Sequence, residues 1–262
     1  MERPLPLQSI PQQRVAEKLD DYMAHRDYAG AERHLQYWLT EAQAIRDERG
    51  ELMVRSELVG HFRKTGNADK AFEHAEAALG LLDSLGFADS ISAGTTYTNI
   101  ATAYNAFGRN AESLELFEKA LAAYKASPQT APQLLGGLCN NMALTCVALG
   151  RFDKAFDLYR EALETMGHVE NGELEQAITY LNMADAVQAR AIIESPDDES
   201  AAEHEIEQLL DTALELLDTP TLPRDGYYAF VCEKCAPAFA HHGYFLADED
   251  LRTRADDIYA KA

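Results

Sequence analysis

Basic residues are scarce in this chain. Lys and Arg together number 23 against 44 Asp and Glu, a formal charge of −21. A phosphate backbone is met by a basic surface, so this balance excludes the ordinary nucleic-acid binder. It equally disfavours docking on an anionic membrane surface. No run of about 18 uncharged apolar residues is present, so no membrane span is expected. The opening MERPLPLQSIPQQR lacks the apolar core of a signal peptide. Cysteine is limited to positions 139, 146, 232 and 235, too few for the disulfide frame of a chain this long. Free thiols in a reducing cytoplasm are the expectation. Alternating apolar residues of the strand type are missing. So are H-E-x-x-H, G-x-S-x-G, G-x-G-x-x-G and the phosphate-binding G-x-x-x-x-G-K, and no catalytic residue is assigned. What is there is a 47% apolar composition, ordinary for a folded chain.

The apolar residues come in a repeat. GHFRKTGNADKAFEHAEAAL, TYTNIATAYNAFGRNAESLELFEKAL and LCNNMALTCVALGRFDKAFDLYREAL align, and their turn glycines Gly66, Gly108 and Gly150 are each 42 residues apart. Each unit reads as two helices. Leu138, Met142, Cys146 and Leu149 step by four, four and three, which marks one helical face. Gly150 ends that helix, because glycine accepts the left-handed conformation after a helix terminus. Phe152, Ala155, Phe156, Tyr159, Ala162 and Leu163 make the second stripe. Apolar surface on more than one side forces such a hairpin to stack on a neighbour. Extending the pattern gives about six hairpins, near 13–46, 50–84, 91–126, 131–167, 172–217 and 226–261. The first turns at Arg26-Asp27 and the last at Gly243. The fifth is broken by IIESPDDES, the 192–200 stretch that opens an acidic run. One all-α solenoid over 1–262 is predicted.

The order Tyr97, Asn99-Ile100-Ala101, Tyr104, Gly108, Phe117, Ala120-Leu121 resembles a tetratricopeptide repeat (TPR). So do Asn141-Met142-Ala143, Gly150, Phe152, Ala155, Tyr159, Ala162-Leu163, and Leu58, Phe62, Gly66, Ala71, Ala75, Ala78-Leu79. The usual unit is about 34 residues; the longer unit here resembles the repeats of kinesin light chains and bacterial peptide-sensing regulators. Ser113 departs from the pattern, standing where the second helix usually has alanine. The resemblance implies a right-handed superhelix of antiparallel helix pairs. The first helix of each pair would line a concave groove that takes an extended or helical peptide. No catalysis is implied.

Asn99, Asn141 and Asn182 fall at the same point of three successive first helices. Asparagine is a mediocre helix former, so propensity does not explain the recurrence. Its amide donates and accepts at once, which suits a peptide main chain; in the resembling family this residue faces the groove and does that. The other reading is hydrogen bonding between adjacent helices. Residues three and six further on face the same way: Thr102 and Asn105, Leu144 and Val147, Asp185 and Gln188. The second hairpin has Glu57 at the asparagine's point, with Arg63 six residues on, and the last has Lys234. Arg63 and Lys234 are candidates to hold a carboxylate, against the plain reading of solvated charges.

Cys232-Glu233-Lys234-Cys235 followed by His241-His242 has the ligand count of a zinc site. Ligands on one continuous helix cannot wrap an ion unless it bends, as at Pro237, so buried thiols are expected and no metal or cofactor is assigned. His61, His74, His168 and His204 read as surface histidines. Between Ile192 and Pro223 ten acids occur with no Lys or Arg, read as a solvated face. The C-terminal aromatics Tyr227, Tyr228, Phe230, Phe239, Tyr244 and Phe245 read as core. Function resolves into three readings: a non-enzymatic scaffold binding a protein or peptide segment; a self-assembling solenoid, from apolar residues such as Ile258 and Tyr259 at its end; and a metal or redox protein through Cys232 and Cys235.

Overall fold

The computed structural model describes residues 9–86, 89–194 and 199–261. All regular structure among them is α-helical: α1 (Gln12–Ala24), α2 (Tyr28–Ala44), α3 (Glu48–Lys64), α4 (Ala68–Leu85), α5 (Ile91–Ala106), α6 (Asn110–Ala126), α7 (Pro132–Ala148), α8 (Phe152–Met166), α9 (Glu173–Glu194), α10 (Glu199–Leu217), α11 (Gly226–His241) and α12 (Phe245–Tyr259). Consecutive helices pair as antiparallel hairpins. They fall into two compact units, Met1–Thr130 with α1–α6 and Ala131–Ala262 with α7–α12.

The hairpin turns are alike because one backbone device closes them. Gly66, Gly108, Gly150 and Gly243 all have positive φ, and Arg26 takes the same role at φ 53°. At each of these turns the N–H following the left-handed residue donates back five residues: Asn67 to Phe62, Arg109 to Tyr104, Arg151 to Cys146, Tyr244 to Phe239 and Asp27 to Tyr22, at 2.8–2.9 Å. This bond satisfies an otherwise orphaned helix-end carbonyl. The break expected at IIESPDDES centres on residues 195–198, which lie outside the described residues.

Within a unit, hairpins stack in two ways. Second helices pack on the next first helix (α2 on α3, α4 on α5, α8 on α9), and first helices line up beside one another (α3 with α5; α7 with α9; α9 with α11). Small residues set the spacing. A Cβ at Gly94 would stand 2.4 Å from the Tyr124 ring, and one at Gly136 would stand 2.7 Å from Met166 Cε. These pairs recur 42 residues apart, so each first helix leaves room for the large residue ending its own second helix. Ser113 is fully buried and its hydroxyl donates to the Ala101 carbonyl at 2.7 Å, which is how a serine serves at an alanine position.

The first unit buries Leu35, Val54, Leu58, Phe62 and Ala71 together. The second buries Leu181, Leu210, Tyr228, Val231, Phe239 and Leu251. Each Leu, Val or Phe side chain among these contributes about 1.5–3 kcal/mol by leaving water. Two expectations need correction. Ile258 and Tyr259 are not bare ends; they pack partly buried on the second core. Of the C-terminal aromatics only Tyr228 and Phe239 are fully buried, whereas Tyr227, Phe230 and Phe245 are exposed. The physical reason is position: Tyr227 and Phe230 share an α11 face turned from the core, and Phe245 begins α12 at the hairpin tip.

Candidate functional site

In the first unit, α1, α3 and α5 bound a cleft of about 620 Å³. Its described lining comes from these first helices and the α5 N-cap, including Gln12, Met53, Ser56, Glu57, Ser90 and Thr95. Glu57 is half-buried. Burial raises its carboxyl above the usual range, and the negative charge of Asp20 on α1 adds to this. Arg63 reaches solvent, yet surrounding protein lowers its pKa by stripping hydration, as on a recessed wall.

Asn99 is half-buried, and its Nδ2 donates to Ser56 Oγ on α3 at 2.9 Å. This is a bond between neighbouring first helices. Thr102 Oγ1 donates to the Thr98 carbonyl of its own helix at 2.8 Å. Asn105 Nδ2 donates to Asn110 Oδ1 across the hairpin turn at 3.1 Å.

In the second unit, Asn141 is half-buried, as are Leu144 and Val147 on the same α7 face. Its amide has no side-chain hydrogen bond among the described residues. Asn182 Nδ2 donates to Asn140 Oδ1 on α7 at 3.1 Å. Asp185 and Gln188, one turn apart on α9, meet the end of α11: His242 Nε2 lies 2.9 Å from Asp185 Oδ1, and His241 Nε2 lies 2.8 Å from Gln188 Oε1. Further along the same seam, Tyr227 of α11 donates its hydroxyl to Glu175 of α9. Phe230 stacks on Tyr227 with ring centroids 6.2 Å apart, and Lys234 is exposed. Arg63 and Lys234 belong to different units.

The surface reading of His61 and His74 is corrected: both are 5% exposed. Burial lowers the pKa of each, and in His74 the charge of Arg55 lowers it further. Arg55 Nη1 stands 3.2 Å from His74 Nδ1, and the ring stacks on Phe62. Their helical spacing gave no sign of this, because the burying surface belongs to other helices. All four cysteines are free and buried. Burial pushes Cys235 up to about 12 and raises Cys232 as well.

Models of the tetratricopeptide repeat match residues 51–126 and 137–165. No curated protein sequence matches the chain. Among solved structures, BtubC (BKLC) from P. vanneervenii superposes with TM-score 0.55 at 21% identity, covering 91% of each chain. A kinesin light chain-like protein of Podosopora anserina with nearly identical TPR-like repeats gives TM-score 0.51 at 18% identity, covering 80% of this chain and 95% of that one. A variant of it gives 0.54 at 17% over the same shares. At these identities the likeness is one of fold. Equal turn spacing, stacked helix hairpins and matching repeat models agree: residues 51–126 and 137–165 form tetratricopeptide repeats, and the helix hairpins on either side share their fold.

Proposed function

We propose that the chain is a non-enzymatic scaffold that holds a protein or peptide segment against the exposed faces of its first helices. The observation carrying this is the cleft walled by α1, α3 and α5. Its chemistry suits a basic segment. Glu57 is partly desolvated beside Asp20, and a guest lysine or arginine would relieve both costs at once. In the second unit the exposed Tyr227 and Phe230 offer aromatic faces that a cation or apolar side chain can cover.

Peptide display against the purified chain, with anisotropy titration of recovered peptides, tests the reading. Recovered sequences rich in Lys or Arg, weakened about tenfold by Glu57→Gln or by Asn141→Ala, support it; tenfold is about 1.4 kcal/mol, the size of one hydrogen bond. Failure to recover peptides, or affinities indifferent to substitutions on first-helix faces, removes it.

Self-assembly is a second reading, favoured by Phe245 and Leu246, which are 68% and 84% exposed at the start of α12. Light scattering that gives a monomer at high concentration counts against it.

A further inference from the structure

His241 and His242 close α11, one as its last residue and the other as its C-cap. Both rings turn to α9 and lie edge to face, with centroids 4.9 Å apart. They meet two acceptors one turn apart on α9: Asp185 Oδ1 at 2.9 Å from His242 Nε2, and Gln188 Oε1 at 2.8 Å from His241 Nε2. Ligand atoms of Asp185, His241 and His242 all lie within 4.8 Å of one another, the one such group among the described residues. The His242 side chain is 4% exposed and that of Asp185 51%, so the cluster has a fixed floor and an open top.

We propose that Asp185, His241 and His242 bind one divalent transition-metal ion of the zinc class, with the Gln188 side-chain oxygen alongside. The donor set is two imidazoles and a carboxylate, the combination that zinc and its neighbours take and that Mg²⁺ and Ca²⁺ do not prefer. Zinc bonds of about 2.0–2.1 Å put tetrahedral ligands roughly 3.3 Å apart. The Asp185–His242 separation is within about half an ångström of that, and the other pairs of the triad, all within 4.8 Å, would close by side-chain adjustment as the ion binds. Binding requires each Nε2 to present its lone pair, with the ring proton on Nδ1. No lysine or arginine pairs with Asp185 among the described residues, so its charge is open to a cation.

Three protein ligands leave one tetrahedral position open at the exposed side. The C-x-x-C does not take part: Cys232 and Cys235 are buried in the core of the unit. The site goes beyond the scaffold reading and does not depend on it.

The test titrates Zn²⁺ into the full chain after chelator treatment, by calorimetry and by competition with a chromophoric chelator. About one saturable equivalent is expected. Asp185→Asn and His242→Gln should each weaken it more than about tenfold, beyond the lower bound for groups one shell out. Cys232→Ser with Cys235→Ser should leave it unchanged, and excess Mg²⁺ should not displace it. Asp185→Asn changes a half-exposed side chain and keeps its shape. It therefore serves even where the more buried His242 variant fails to fold, with the helical circular-dichroism signal as the check. Four outcomes overturn the site: no saturable equivalent, affinity unchanged in Asp185→Asn, loss in the cysteine variant, or displacement by Mg²⁺.

Discussion

Asn182 Nδ2 donates to Asn140 Oδ1 at 3.1 Å, joining α9 to α7 across 42 residues of chain. Asn99 makes the matching bond to Ser56 Oγ on α3. Asn140 and Ser56 are 7% and 5% exposed, so losing the donor leaves a buried polar atom alone. Asn182→Ala should cost about 1–3 kcal/mol in urea unfolding. Asn141→Ala should stay within about 0.5 kcal/mol. Equal losses at both positions would contradict the assignment. Changing all three asparagines together would therefore confuse instability with lost binding, and Asn141 is the cleaner probe of a guest.

Asp47 caps α3 and anchors the chain that enters α1. One carboxylate oxygen accepts from Gly50 N at 3.0 Å and the other from Ile10 N at 2.9 Å. Asp47→Ala should cost about 2–3 kcal/mol, from a lost cap and an unpaired buried amide. Hydrogen exchange at Ile10 should accelerate with it. Slow exchange at that amide in the variant would show another anchor.

Acid should weaken the first unit through His74 and His61. Burial lowers both pKa values in the fold, so the unfolded chain takes up protons first, near pH 6.5. The stability they contribute is full above that pH and is lost as pH falls toward the depressed folded values. Melting temperatures at pH 7.5 and 5.5 read the effect. His74→Gln, which keeps an acceptor for Arg55, should reduce the acid loss by about 1 kcal/mol. An identical pH dependence in wild type and variant would exclude His74.

The thiols should be silent in the folded chain. All four cysteines are buried, and Cys235 is raised to about 12. The thiolate is the reactive form. A disulfide-exchange reagent at pH 8 should therefore react slowly without denaturant and with all four cysteines in it. Rapid native reaction at Cys232 or Cys235 would revive the redox reading.

The repeat was legible because its markers are local. A left-handed turn needs glycine or a tolerant substitute, so Gly66, Gly108 and Gly150 display the period. The pairs Gly94–Tyr124 and Gly136–Met166 carry the same spacing and were there to be read in the sequence too. The asparagines were half legible. Their recurrence marks one helix face, but whether an amide meets a guest or a neighbouring helix depends on the distance between helices.

By itself the sequence determined the helical class, the turn positions and the acidic surface, since periodicity, backbone preference and charge act within a few residues. Only the tertiary structure decided which polar groups meet. His241 and His242 stood beside Cys232 and Cys235 in the chain. In the fold the cysteines pack inward with the core, while the histidines turn to Asp185 and Gln188 on α9. Proximity along a helix constrains direction; the stacking of separate helices chooses the partner.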